Sequence, residues 1–322
     1  MEKEIDIAAL GELLIDFTEA GLGKDGMKLF EQNPGGAPAN LLTAASHLGC
    51  KTAFIGKVGQ DMHGTFLKNT LENEKIDTHA LIEDPDYFTT LAFVAIDSSG
   101  ERNFSFARKP GADTMLRKEE LDSKLLSNCK IFHFGSLSLT NEPAKSAVLE
   151  AISLAKESGA LISYDPNYRS SLWSSPELAV NEMKAVIPLV DIMKVSDEES
   201  LLLTGATNYE DAADILLSFG IKFVAITLGS HGVLLARKEK KERIPAFSVK
   251  AVDTTGAGDS FWGGFLSSFL SYHQSIEEIK WAALQTCAIT GNAVAALCVQ
   301  KRGGIPSIPT KEAVLKFIKE NE

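Results

Sequence analysis

Eight consecutive residues, Asp253-Thr254-Thr255-Gly256-Ala257-Gly258-Asp259-Ser260, bring together what is needed to hold one anion and activate a hydroxyl beside it. Gly256 and Gly258 leave the backbone uncovered, so successive N–H groups can turn toward a single negative charge. The string lies between an apolar, β-like run ending at Val252 and a helix-like run over 261–270. The same N–H groups would therefore open a helix, where unpaired donors and the macrodipole favour an anion. Asp259 follows the second glycine. An acid beside an anion hole suits phosphoryl transfer, in which a base meets the attacking hydroxyl while backbone dipoles hold the migrating charge. The structural alternative is a glycine turn in which Asp253 or Asp259 caps the helix.

The elements that must position this string read as alternating strands and helices. The first strand is expected at 5–10, and the turn after it reads Gly-Glu-Leu-Leu-Ile-Asp, without the three glycines of a dinucleotide site. Residues 21–32 read as a lid or hairpin. Asn33-Pro34-Gly35-Gly36-Ala37-Pro38-Ala39-Asn40 then enters a helix at 41–48. It reads equally as a Pro/Gly turn or as a loop whose bare backbone admits a ligand. A strand at 52–55 leads into Gly56-Lys57-Val58-Gly59-Gln60-Asp61, read as a structural turn with Lys57 solvated and Asp61 capping a helix over 63–74. Strands at 89–96 and 103–107, joined by Asp97-Ser98-Ser99-Gly100, form a hairpin. With the earlier segment they make a small β-sheet lid, which would keep water from the reaction. Arg108, just beyond, either touches substrate or is solvated.

After Ala112, strands are expected at 130–134, 160–164, 190–195, 222–227 and 232–236, and helices at 118–126, 144–158, 176–187 and 209–219. Such alternation implies an α/β fold with a doubly wound, mostly parallel central sheet and flanking helices, binding ligands at the carboxyl ends of its strands. Three informative stretches fall at such ends: 163–169 with Asp165 and Arg169, 193–199 with Lys194, Ser196 and Glu199, and 226–232 with Thr227, Gly229 and Gly232. Taken singly, each is a turn, a helix start or a strand ending. Their succession at strand ends argues for a site. Long apolar and amphipathic helices at 281–299 and 311–322 close the chain.

The string at 253–260 resembles the C-terminal signature of the ribokinase-like (phosphofructokinase-B type) carbohydrate kinases, and the whole chain is most similar to the fructokinases of that family. The resemblance implies a single kinase domain over 1–322, with lid insertions at about 12–33 and 86–112. It implies Asp259 as base, with Gly256, Ala257 and Gly258 completing the anion hole. Asp16, Gly35, Gly36, Asn40 and Arg108 would bind sugar. Arg169, Lys194, Ser196, Glu199, Thr227, Gly229, Gly232, Gly256, Gly258 and Asn292 would face ATP. Glu199 would hold Mg2+ through water, and Asp253, Thr255 and Gly303 would surround K+. Ser196 stands where the family's Asn-x-x-Glu stretch has asparagine. The implied reaction takes D-fructose and ATP to D-fructose 6-phosphate and ADP. A 2-keto-3-deoxygluconate kinase, served by Arg108 as an extra cation, and a non-catalytic sugar- or nucleotide-binding regulator are the alternatives. In the family the lid often also forms a homodimer contact.

The bulk numbers narrow the partners. With 322 residues and a net charge of −11, the chain has room for a large core and no basic face for nucleic acid or anionic membrane. The basic cluster Lys238, Lys240, Lys241 and Arg243 reads as a solvated hairpin tip. Four cysteines without a CxxC pair fit buried thiols in a reducing cytoplasm. No window is expected to span a membrane, and no Walker-type glycine-lysine loop occurs.

Overall fold

The first strand, Ile-Asp-Ile-Ala-Ala-Leu, ends in four buried residues, the pattern of a central strand covered on both faces. A computed structural model describes residues 3–96 and 102–321. The chain runs β1 (Ile5–Leu10), β2 (Leu14–Leu22), β3 (Lys28–Gly35), α1 (Ala37–His47), β4 (Thr52–Gly59), α2 (Met62–Asn73) and β5 (Leu81–Asp84). It continues with β6 (Leu91–Ile96), β7 (Arg102–Ala107), α3 (Ser123–Ser127), β8 (Cys129–Gly135), α4 (Ala144–Glu157), β9 (Leu161–Asp165) and α5 (Pro176–Ala185). Then come β10 (Ile192–Ser196), α6 (Asp197–Thr204), α7 (Tyr209–Ser218), β11 (Phe223–Thr227), β12 (Val233–Arg237) and β13 (Lys240–Ile244). Helices α8 (Ala257–Leu270), α9 (Trp281–Cys298) and α10 (Lys311–Glu320) follow.

The large sheet has the order β13-β12-β11-β10-β9-β8-β1-β4-β5 among the described residues, parallel from β11 to β5, with β12 and β13 antiparallel at one edge. One face is packed by α3, α4, α5 and α7, the other by α1, α2, α8 and α9. Strand order reverses between β1 and β8, and a crevice opens at such a switch point. A second sheet, β3-β2-β6-β7, is antiparallel except where β2 runs parallel to β6. Alternation on β2 turns Leu14, Asp16 and Thr18 to one side of it, toward the crevice.

Several local expectations change. The helix expected at 118–126 splits into a single 3-10 turn (Lys118–Glu120) and α3, because Leu121 is extended and Asp122 caps Lys124 and Leu125 anew. The run ending at Val252 forms no strand: the Val252 and Asp253 N–H groups both bond to the Val299 carbonyl. Lys57 is buried, not solvated, and its ammonium donates to Asp84 (2.9 Å) and Glu120 (2.7 Å). Asp61 caps α2 through the His63 and Gly64 N–H groups. Part of the basic cluster is strand β13 itself, with Lys241 paired to Asp214. By length and composition α9 could cross a membrane, contrary to expectation, yet more than half of it is buried against the rest of the protein. The Asp97–Gly100 turn lies outside the described residues.

Candidate active site

A cleft of about 890 Å³ opens where β1, β8, β9, β10 and β11 end, roofed by the small sheet. Its floor is the first turn of α8. Gly256, at φ +74°, turns the chain into that helix, a conformation a side chain would strain. Gly258 has a different reason: a Cβ there would stand 2.8 Å from the Lys194 ammonium. Lys194, on β10, is almost fully buried and donates to Asp165 Oδ2 at 2.9 Å. The Ala257 N–H is not turned to the cleft; it bonds to the Thr254 carbonyl at 3.2 Å. The expected hole thus loses that donor, leaving the backbone of Gly256, Gly258 and Asp259.

The Asp259 carboxyl lines the cleft, and its Oδ2 accepts from Asn40 Nδ2 at 2.9 Å. Its pKa is pushed up to about 6, by burial first and then by the Asp165 carboxylate, against the pull of Lys194, the Asn40 bond and Arg169. Burial acts against the Lys194 charge as well, but Asp165, Glu199 and Asp259 outweigh it and hold its pKa above the ordinary lysine value. Asn40 Oδ1 is buried without a hydrogen-bond partner, an acceptor in reserve at the cleft wall.

Along the cleft, Ser196 caps α6 and forms a capping box with Glu199. Glu199 Oε1 accepts from the Tyr168 N–H (2.6 Å) and Oε2 from the Ser196 N–H (2.9 Å). Both oxygens are thus anchored to backbone, a fit for contact with a cation through water rather than directly. Asp253 accepts from the Thr255 N–H (2.8 Å) and the Gly303 N–H (3.1 Å), tying those loops into one rim. Among the described residues no group of three or more His, Cys, Asp or Glu could cage a metal.

The structure brings most expected residues to this cleft: Asp16, Gly36, Asn40, Arg169, Lys194, Ser196, Glu199, Thr227, Gly229, Asp253, Thr255, Gly256, Ala257, Gly258, Asp259 and Gly303. Four fall outside its lining. Gly35 lies just behind it, its Cα against the Asp16 carboxylate. Gly232 lets the backbone of Ile244 and Pro245 pass closely, where a Cβ would collide. Asn292 is buried, donating to the Pro245 carbonyl at 2.9 Å. Arg108 is neither at the cleft nor solvated: its guanidinium donates to Asp113 (2.8 Å), Thr140 (3.0 Å) and the Leu137 carbonyl (2.9 Å). Asn167, within the expected stretch 163–169, also lines the cleft, and Glu12 and Leu202 line it unforeseen. Glu12 was legible only as the residue after the Gly11 strand end, and Leu202 only as one helical turn beyond Glu199.

The sequence profile of the pfkB family of carbohydrate kinases matches residues 4–311. The chain belongs to that family. Among PfkB relatives, Fructokinase-1 of Oryza sativa subsp. japonica is 39% identical over 317 residues, covering 97% of each chain. The fructokinase double mutant of Vibrio cholerae O395, solved with fructose, ADP and potassium ion, superposes with a TM-score of 0.88 at 32% identity, over 99% of this chain and 100% of that one. The fructokinase of Xylella fastidiosa with bound ATP gives 0.87 at 30% identity, over 99% of each. This PfkB kinase therefore shares its fold, including the small sheet, with sugar kinases along nearly its full length.

Proposed function

We propose that this protein is an ATP-dependent fructokinase, transferring the γ-phosphoryl group of ATP to a hydroxyl of D-fructose. The carrying observation is the Asp259 carboxyl, half-buried in the cleft at the first turn of α8 and bonded to Asn40 in the first turn of α1. Asp16 and Asn40 hold the sugar hydroxyls, a carboxylate and an amide giving acceptors in fixed positions. Asp259 accepts the proton of the attacking hydroxyl. The bare backbone at Gly256 and Gly258 and the Lys194 ammonium face the charge that spreads over the transferring oxygens. Arg169, at the outer wall, meets the nucleotide phosphates. Mg2+ held by the phosphates would neutralise their charge, with Glu199 reaching it through water. K+ would sit at the rim formed by Asp253, Thr255 and Gly303.

The engagement of Arg108 with Asp113 removes the lid cation that a keto-acid sugar would need, which favours fructose over 2-keto-3-deoxygluconate. ADP release measured with fructose, ribose, 2-keto-3-deoxygluconate, tagatose 6-phosphate and adenosine, each with ATP, Mg2+ and K+, tests the reading. Fructose is expected to give the highest kcat/KM. Release with none of them would support the non-catalytic regulator. Asp259→Asn is expected to lower kcat about 10²–10⁴-fold with fructose binding close to wild type.

The outer face of the small sheet supports a homodimer. Phe17, Phe30 and Phe93 cluster there, with Phe17 stacked on Phe93 at 5.4 Å, and Phe30 and Phe93 are exposed. Clustered exposed aromatics of this kind are a common mark of a protein–protein contact. A cytoplasmic setting is supported by four free cysteines, three of them buried with thiol pKa values pushed up by burial. A fluorescent fusion found outside the cytoplasm would overturn that placement.

A further inference from the structure

Helix α1 carries Asn40 in its first turn, yet its own sequence offers no cap: Gly36 has no side chain and no acidic residue follows. The acceptor comes from elsewhere in the chain. Glu12, in the bend between β1 and β2, receives the Ala37 N–H on Oε1 at 2.8 Å. The two loops interlock as well, since a Cβ on Gly36 would strike the Glu12 carbonyl oxygen, and one on Gly11 would lie 2.5 Å from Pro38 Cγ. Glu12 is only 3% exposed and still lines the cleft with Leu14, Asp16 and Asn40. A buried carboxyl is costly to keep, and the transfer of phosphate leaves it unused.

We propose that Glu12 is a positioning residue for the acceptor sugar, capping α1 from the adjoining bend so that Asn40 stands at a fixed place relative to Asp16 and Asp259. This rests on the sugar-kinase reading above. Burial pushes the Glu12 carboxyl up to about 7, opposed by the Ala37 bond and the Arg108 charge and reinforced by Asp113. Asp16 and Asp259 are the other carboxyls of that end of the cleft. Once ionised, Glu12 makes a charge-assisted bond at a helix N-terminus, stronger than that of the neutral acid. Sugar affinity is thus expected to improve as pH rises through about 7.

Steady-state kinetics of the full-length enzyme against pH provide the test. Glu12→Leu strands the Ala37 N–H and is expected to raise the fructose KM about tenfold while the ATP KM changes less than about twofold. Glu12→Gln keeps an acceptor without a titrating proton. It is expected to recover most of that loss and to show a fructose KM that no longer changes between about pH 7 and 8, above the range in which Asp259 titrates. The Ala37 amide proton shift, followed by NMR in substrate-free protein, should titrate near 7 in the wild type and stay flat in Glu12→Gln. If Glu12→Leu fails to fold, the Gln profile and the NMR titration decide. Wild-type turnover with no sugar at all overturns the kinase reading, and this inference with it. Wild-type turnover combined with an unchanged fructose KM in Glu12→Leu, an equal rise in both KM values, or a pH dependence surviving in Glu12→Gln above about pH 7 overturns this inference alone.

Discussion

As the proposed base, Asp259 can act only in its ionised form, and with a carboxyl raised to about 6 it is ionised at neutral pH without being a negligible base. The kcat is therefore expected to fall about tenfold per pH unit below about 6, and a stopped assay from pH 5 to 8 checks this. The same shift bears on stability. The folded carboxyl is raised above its ordinary value of 3.8, so its charge costs the fold nothing below that value and most above about 6. Asp259→Asn should melt at the wild-type temperature or higher at pH 8, with the gain fading below about pH 4; a lower melting temperature at pH 8 would contradict this origin of the shift. Asp259 was legible because glycines flank it and a helix follows. Arg108 and Lys57 were not, because their partner acids Asp113, Asp84 and Glu120 lie 5, 27 and 63 residues away along the chain. Nothing local to an arginine or lysine announces such a pairing.

At the scale of elements, the decisive one is α8, which must deliver Asp259 to the ends of the strands. Gly263 and Gly264 let it settle closely against α1 and α9, a Cβ on Gly263 standing 2.8 Å from Ala44 Cβ and one on Gly264 3.2 Å from the Gly291 Cα. A buried polar link ties it to the sheet. Trp262 Nε1–H donates to Ser163 Oγ on β9 at 2.8 Å, and that hydroxyl stands 2.9 Å from His133 Nδ1 on β8. Burial, with the Lys194 charge, lowers the His133 pKa to about 3, so the ring stays neutral and Nδ1 is free to accept. Ser163→Ala would leave two buried groups unpaired, at about 1–3 kcal/mol each. Denaturant unfolding is expected to show a loss of that order together with reduced kcat, and wild-type stability would show the link to be unimportant. Seven strands of the large sheet and the long helices were legible from short apolar runs and 3.6-residue spacing, whereas β2, β5 and β13 were not expected as strands. The break at Leu121 and the unpaired stretch before Asp253 were not, since capping by Asp122 and the bonds to the Val299 carbonyl decide them.

For the whole molecule, the question is how the two sheets enclose one cleft. The large sheet reverses its order between β1 and β8, and the residues that line the cleft come from strand ends on both sides of that reversal. The small sheet turns Asp16, Thr18 and Asn33 inward and leaves Phe30 (42% exposed) and Phe93 (39%) outside. If that outer face joins two copies, Phe30→Glu should shift the mass measured by light scattering from dimer to monomer. A wild-type monomer at micromolar concentration would dismiss the dimer. Helix α9 makes the complementary point, being apolar enough to cross a membrane and yet packed beside α8 as part of the core.

Sequence by itself determined the alternating α/β architecture, the glycine-flanked acid at a helix entrance, and the succession of polar stretches at strand ends. These depend on residues a few positions apart, where periodicity, turn chemistry and backbone exposure act. Only the folded chain shows that the Arg108 and Lys57 cations are committed to carboxylates of the protein, that Asn292 holds a loop, and that Glu12 caps a helix 25 residues away. Those pairings follow from the spatial order of strands in the sheet, which brings distant carboxylates and amides into low-dielectric contact whatever their separation along the chain.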